Sequence, residues 1–445
     1  MANLPKRAPQ SPFDYVLEKA EIRSDVFEDG VFLDIKNVIT DIEIFEHLDK
    51  PYLTGTIIFV DDSNIYNTAK FSGAERLLLK VRLPSPSAVP TEKMFVIEKV
   101  LKSVKTNDNT SVIAIHLIEE HAFVAQLKNV NKSYTGKPTE VIQKIITDNL
   151  GREFSEVIPD NQQPIRVIVP NLDAISAAHW VRDKTTSIAG TPYYLFSTFA
   201  NKRLHLMDLA DMLQAPVDET PYWFSQINTQ LSSDMGVAEQ SYIIQSYKSK
   251  NTDAILPMIK KGNVGALHSY YNPLNSTTAE VKLNINDTFE DLRQRDIIAV
   301  GQNKLSYRPE HKENGVPLHE MIGARKTNIA VSNTYNDVNN YTERSSTGSL
   351  KQQVVAEALR DFLVKDSMEV VLPGRNFLQG DYSNTIGNQV QLRFLNNSPN
   401  TAQIDTKKSG DYLIYACKHV FKKERYDVII SGVKLADIEG ENELG

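Results

Sequence analysis

TGTIIFV, residues 54–60, is a strand-sized run, and its pattern recurs more than three hundred residues later. Ile57 and Phe59 fall on Val370 and Leu372 at an offset of 313, and at the same offset Leu77, Leu79 and Val81 fall on Val390, Leu392 and Phe394. After one length change, Phe95, Ile97, Val100, Val104, Val112, Ile113 and Ile118 fall on Tyr412, Ile414, Cys417, Phe421, Ile429, Ile430 and Leu435 at an offset of 317. The change separates PSPSAVPTEK from NSPNTAQIDTKKSG, two loop sequences in which extra residues add little closure entropy. Unrelated strands share a period of two and can be overlaid by chance. A constant offset through four strands with one loop insertion favours duplication of a β-unit.

Around the first copy, residues 13–127 are strand-like throughout, with VFLDIKNVIT, RLLLKVRL, MFVIEKVLKSV and SVIAIHLI separated by Pro, Asn, Asp and Gly. Strands at this spacing close into small barrels or sandwiches. MFVIEKVLKSV and SVIAIHLI make a hairpin whose KTNDNT tip projects. The expected fold class is α+β and β-rich: two similar small antiparallel β-barrels of the tube type, at 13–127 and 351–435, with an α+β insertion at 128–235 between them. Residues 236–350 are expected to add strands to the second barrel together with a polar, loop-rich insertion. Residues 1–12 read as a flexible arm with three prolines, and 436–445 as an acidic tail with nothing to pack.

Three helices stand out. PTEVIQKIITDNLG has Pro138 in its first turn, Gly151 as its stop, and Val141, Ile142, Ile145 and Ile146 on one stripe. NLDAISAAHWVRDKTTS places Leu172, Ile175, Ala178 and Trp180 within reach of one buried face, and TPYYLFSTFANKRLHLMDL follows it as a hairpin. SLKQQVVAEALRDFLVKD leads into the second β-unit, whereas VSNTYNDVNNYTERSSTGS before it reads as a long polar loop ordered by a partner.

The chain has 445 residues, 41% of them apolar and 24% charged, and carries a net charge of −7. That composition fits a soluble protein of several domains, made in a cytoplasm. It has no apolar run approaching the ~18 residues of a membrane span, so no membrane insertion is expected. The acidic balance argues against specific nucleic-acid binding. The basic stretches KNVNKSYTGK and KKERYD each hold a tyrosine that could stack a base, but a solvated turn is the stronger reading for KKERYD. The single cysteine, Cys417, lies in a strand pattern and reads as a small buried hydrophobe.

Signals for chemistry are weak. In HLIEEH, His116 and His121 are five apart rather than four, so a solvated strand end is preferred to a zinc site. His311 and His319 have no third ligand nearby, and Asp61 with Asp62 suits capping or turn duty. Neither a phosphate-binding glycine loop nor a nucleophile elbow is present. No catalytic residue, metal or cofactor is expected.

A duplicated β-unit doubles the rotational symmetry of a ring. Three chains would present six near-equivalent units around one axis, since closed cyclic symmetry is the rule for homo-oligomers. The order of VIAIHLIEE, PTEVIQKIITDNLG, PNLDAISAAHWVRDKTTSIAGTPYYLF and YLIYACKHVFKKERYDVIISGVKL resembles the central baseplate hub protein of contractile-tailed bacteriophages, related to the hub portion of the type VI secretion spike protein VgrG. The similarity spans most of residues 13–435. It implies a structural, non-enzymatic homotrimer of the virion tail baseplate, assembled in the host cytoplasm. Its implied partners are a trimeric tail spike protein, a tail tube or tube-initiator ring and baseplate wedge proteins, with a lumen left for DNA. Tyr242, Ile243, Ile244 and Tyr247 are candidates for a strand covered at a subunit interface.

Two other classes compete. A tail-associated hydrolase would use Asp173, His179 and Asp183, though an ion pair explains the last two. A carbohydrate-binding barrel would draw on the 18 tyrosines, which scatter rather than cluster.

Overall fold

The structure, a computed structural model, describes residues 11–438 apart from 25–26, 29–30, 70, 86, 108, 158–163, 184, 188–189, 218–219, 225–234, 251–255, 273–275, 296, 298–302, 306–311, 321–325, 331–334, 338–346, 366, 396–403 and 424. Its first part is an antiparallel run of β1 (Val16–Arg23), β2 (Ile39–His47), β3 (Thr54–Asp61), β4 (Arg76–Arg82), β5 (Thr91–Asn107) and β6 (Thr110–Glu119). In space the order is β2, β3, β6, β5, β4, β1. Period-two alternation sets the faces: Ile57 and Phe59 of β3 share the buried side with Ile113, Ile115 and Leu117 of β6. Each such side chain contributes about 1.5–3 kcal/mol by leaving water. Gly55 is required where β2 and β3 approach, because a Cβ there would lie 2.8 Å from the Glu43 carbonyl and from the Ile44 side chain.

The chain then turns helical in α1 (Glu120–Gln126), α2 (Pro138–Leu150) and α3 (Ala174–Arg182), followed by the hairpin of β7 (Tyr193–Ser197) and β8 (Leu204–Asp208). Helix α2 has the expected signals: Glu140 accepts from the Lys137 amide at its start, and Gly151 closes it at φ 61°. Its Val141, Ile142, Ile145 and Ile146 pack with Ala174, Ala177, Ala178 and Val181 of α3 and with Leu195 and Leu206 of the hairpin, in a core distinct from that of the large sheet. Trp180 lies only at the margin of that core.

Strands β9 (Tyr222–Phe224) and β10 (Ser246–Ser249) return to the large sheet. Helix α4 (Ile285–Gln294), α5 (Thr347–Leu363), β11 (Ser367–Pro373), β12 (Gln389–Phe394), β13 (Gly410–Lys422) and β14 (Arg425–Val433) follow in the chain. Two segments read as unstructured are partly built into sheets: Tyr335–Asp337 pairs with Ile165–Val167, and Ala436–Ile438 of the acidic tail pairs with Asn303–Leu305.

The duplication is present in the topology. Strands β3, β6, β5 and β4 are neighbours in that order, and so are β11, β14, β13 and β12. The registers agree: Ile57 faces Ile115 as Val370 faces Ile430, and Leu77 faces Phe95 as Val390 faces Tyr412. A β-bulge falls between Ile97 and Lys99 in one copy and between Ile414 and Ala416 in the other. The last strand needs a correction. Ile115 corresponds to Ile430, so β6 maps onto β14 at an offset of 315 rather than 317, because the first hairpin contains two further bulges. An error of two residues keeps every side chain on its face, which is why the apolar pattern still matched.

The two units do not stand as separate closed barrels among the described residues. The first residues of β13, Gly410–Leu413, pair with β12, and its later residues, Ala416–Lys422, pair along the same side with Asp41–His47 of β2. The long strand thereby belongs to both units, and among the described residues the two form one thirteen-stranded, predominantly antiparallel sheet.

Candidate functional site

The seam between β2 and β13 carries a buried polar cluster. Glu46 sits on β2 in the same alternation as Ile42 and Ile44, so its carboxylate points into the core and is 2% exposed. It accepts the Phe199 amide and lies 3.2 Å from Nε2 of His419, whose Nδ1 is 2.7 Å from the Tyr426 hydroxyl. Cys417 Sγ is 3.6 Å from the same Nε2. Burial pushes the Cys417 thiol and the Tyr426 phenol well above their ordinary values, so both stay protonated. Glu46, Cys417 and His419 could bracket a small cation, since their ligand atoms lie within 4.8 Å of one another. The imidazole nitrogens and one Glu46 oxygen already have protein partners, so the cluster holds the two units and the Phe199 turn together.

A second junction forms at the end of β6. Glu119 is 3% exposed and accepts from the Leu53 amide and the Ser197 hydroxyl, both at 3.0 Å. Its other oxygen faces Lys93 at 3.4 Å and Arg152 at 3.3 Å. Burial alone would raise its pKa, but Lys93, His121 and Arg152 together hold the carboxyl below its ordinary value. The Lys93 ammonium, lowered chiefly by burial, also donates to the Asn201 carbonyl at 2.7 Å. HLIEEH is therefore not a solvated strand end: Glu119 and His121 are buried in a junction between the first unit and the α+β region, while His116 pairs with Glu98 at 2.7 Å.

The remaining sequence candidates scatter. Asp173 caps α3 by accepting from the Ile175 and Ser176 amides, and Asp183 binds Arg182 and Arg360. His179 is pushed down to about 4 by burial and by Arg182, and its Nε2 has no hydrogen-bond partner. Asp61 accepts the Ile65 and Tyr66 amides, the capping duty read for it. His319 bonds Asn286 at 3.0 Å, and His311 lies outside the described residues. The tyrosines of the two basic stretches, Tyr134 and Tyr426, are both buried, so the KKERYD turn is anchored by Tyr426 rather than simply solvated.

Tyr242, Ile243 and Ile244 run beside β9: the Trp223 amide donates to Tyr242, and the Ile244 amide donates to Trp223. Ile244 is in the core, and the Tyr242 ring lies 5.0 Å from that of Tyr222. Tyr247 is on β10, opposite Val370, with its ring against Phe224 at 4.8 Å and Phe394 at 4.7 Å. Among the described residues, strand β10 is the outermost strand at one end of the sheet.

No protein-family model and no curated protein matches this chain. Among solved structures, it is similar to the 43 kDa tail protein of prophage MuSo2 from Shewanella oneidensis, with 10% identity, a TM-score of 0.51, and coverage of 94% of this chain and 98% of that one. A tail protein from Neisseria meningitidis MC58 aligns over 95% and 97% of the two chains at 9% identity and a TM-score of 0.48. The Francisella PdpA–VgrG complex aligns over 97% of this chain and 55% of that one at 10% identity and a TM-score of 0.41. The chain has the fold of a phage tail protein, as the MuSo2 comparison shows.

Proposed function

We propose that this chain is the central hub of a contractile phage-tail baseplate. It acts as a homotrimer whose two β-units per chain form a pseudo-sixfold ring. The ring joins a trimeric spike to a hexameric tail tube and leaves a lumen for DNA. The observation that carries this reading is the repetition of one four-strand unit with the same order, register and bulge. A duplicated surface lets threefold symmetry meet sixfold symmetry. The tail-protein fold supports a place in the virion tail, with wedge proteins as further neighbours and assembly in the host cytoplasm.

The polar residues support a structural role. The carboxylates nearest a catalytic pattern serve as a helix cap and in ion pairs, and the buried charges join parts of the chain. Mass-resolved oligomeric state, measured alone and with a candidate spike chain, tests the reading. A trimer that takes up one spike trimer is expected; a chain that stays monomeric at micromolar concentration with and without the spike would remove it.

A further inference from the structure

We infer that Glu46, Cys417 and His419 form a zinc site that ties the two β-units together. A site within one chain holds whatever the number of copies, so it stands apart from the hub reading. Strand geometry brings the three side chains to one place. Cys417 and His419 are two residues apart on β13 and face the same side of the sheet, and Cys417 is directly opposite Glu46 on β2. One ligand therefore comes from the first unit and two from the second, across the seam.

The spacing is that of a zinc coordination shell. Bonds of about 2.0–2.3 Å to oxygen, nitrogen and sulfur set two ligand atoms of one zinc tetrahedron roughly 3.3–3.6 Å apart. From His419 Nε2, Glu46 Oε1 is 3.2 Å and Cys417 Sγ 3.6 Å away, and all three ligand atoms lie within 4.8 Å of one another. A metal-ligating histidine has its second nitrogen held by an outer partner, which fixes the tautomer. That partner is the Tyr426 hydroxyl, 2.7 Å from His419 Nδ1: with Nδ1–H donating to it, Nε2 keeps its lone pair for the metal. The Phe199 amide likewise orients the Glu46 carboxylate. The rings of Phe199 and Phe421, 4.9 and 6.5 Å from that of His419, give the site an apolar wall.

Hydrogen bonds alone leave the cluster incomplete. Glu46 is 2% exposed and its Oε2 has no hydrogen-bond partner, while among the described residues no lysine or arginine nitrogen lies within 4.0 Å of the carboxylate. A buried carboxylate lacking both a cation and a full set of donors is costly. Zinc supplies the missing charge, because its two positive charges cancel those of the carboxylate and the thiolate. The metal takes Cys417 as thiolate, the thiol proton passing to solvent, and replaces the direct contact between Glu46 and His419. Oε2 completes the shell by bidentate binding. Calcium and magnesium take oxygen ligands, whereas thiolate with imidazole selects zinc.

The site closes only when β2 and β13 pair, so metal enters during folding. The test therefore makes the full-length chain in cells supplied with zinc or with cobalt, purifies it without chelator and measures its metal content and absorption spectrum. About one metal ion per chain is expected. The cobalt form should show a thiolate-to-cobalt charge-transfer band in the near ultraviolet, which can arise only at Cys417 because the chain has a single cysteine. Cys417→Ala should lose that band and hold zinc at least about tenfold more weakly. No bound metal overturns the site, and so does zinc retained unchanged by folded Cys417→Ala. Metal bound without the band marks an adventitious ion elsewhere and overturns it too. Where Cys417→Ala fails to fold, the band of the unmodified chain decides alone.

Discussion

Ile97 and Ile414 precede the same β-bulge in two copies of one unit, 317 residues apart. Beyond each bulge the long strand leaves its shorter neighbour and extends as an arm. In the second copy that arm pairs with β2, and the bulge residue Tyr415 accepts the Leu48 amide at 2.9 Å. A bulge re-aims a strand. Here it re-aims the arm toward the strand of another unit.

The Glu46 carboxylate is expected to be a stability determinant of the seam. Glu46→Ala leaves the buried Phe199 amide and His419 Nε2 without their acceptor, with an expected loss of about 3 kcal/mol or more. Glu46→Gln keeps an acceptor and should lose less. Thermal melting of the two variants checks the order; equal melting temperatures for Glu46→Ala and the unmodified chain would contradict it.

Stability should fall with acidification through a window set by two buried histidines. Burial lowers His179 and His205 to about 4, with Arg182 adding to the effect at His179. In the unfolded chain each takes its proton near pH ~6.5, so the unfolded state binds more protons between those values and stability is lost as pH drops from ~6.5 toward 4. Glu119, held below its ordinary value, contributes stability above about pH 4.3 that is lost as pH falls through its folded value. Melting temperature against pH checks this, and His205→Phe should make the slope between pH ~6.5 and 4 shallower.

Gly374 is expected to tolerate no side chain. An added Cβ would lie 2.1 Å from a ring carbon of Tyr426, which is fully buried and stacked on Phe421 at 4.2 Å. Gly374→Ala should cost about 1–3 kcal/mol by overpacking, read as a lower melting temperature, whereas Gly315→Ala, where a Cβ meets nothing within 4 Å but φ is +81°, carries backbone strain alone.

The acidic balance bears on DNA. Three chains carry −21, three times −7, so a ring should repel a duplex rather than hold it. No retention of duplex DNA at physiological salt is expected in a mobility-shift assay; tight binding there would contradict the proposed lumen.

Much of the fold was legible because period two and period 3.6 are written in side chains. Ile57 and Phe59 announced their strand, and Pro138 with Gly151 announced α2. The seam was not legible, because pairing between distant strands is set by tertiary geometry. Helix α4 lies within residues 236–350, where strands and loops were expected, although Asn284 caps it and Ile285, Phe289 and Leu292 share its buried face. The buried charges did leave a signal. Glu46 follows Ile42 and Ile44, Glu119 follows Ile115 and Leu117, and His419 follows Cys417, each a polar residue on the apolar phase of a strand. Such a residue is buried whenever its strand is, and it must then find partners.

The most direct measurement is cryo-electron microscopy of the purified assembly viewed down its axis. A threefold particle with a strong sixfold component in its rotational power spectrum is expected, because three molecules present six like units. A particle with threefold symmetry and no sixfold component, or one of any other order, would contradict the claim.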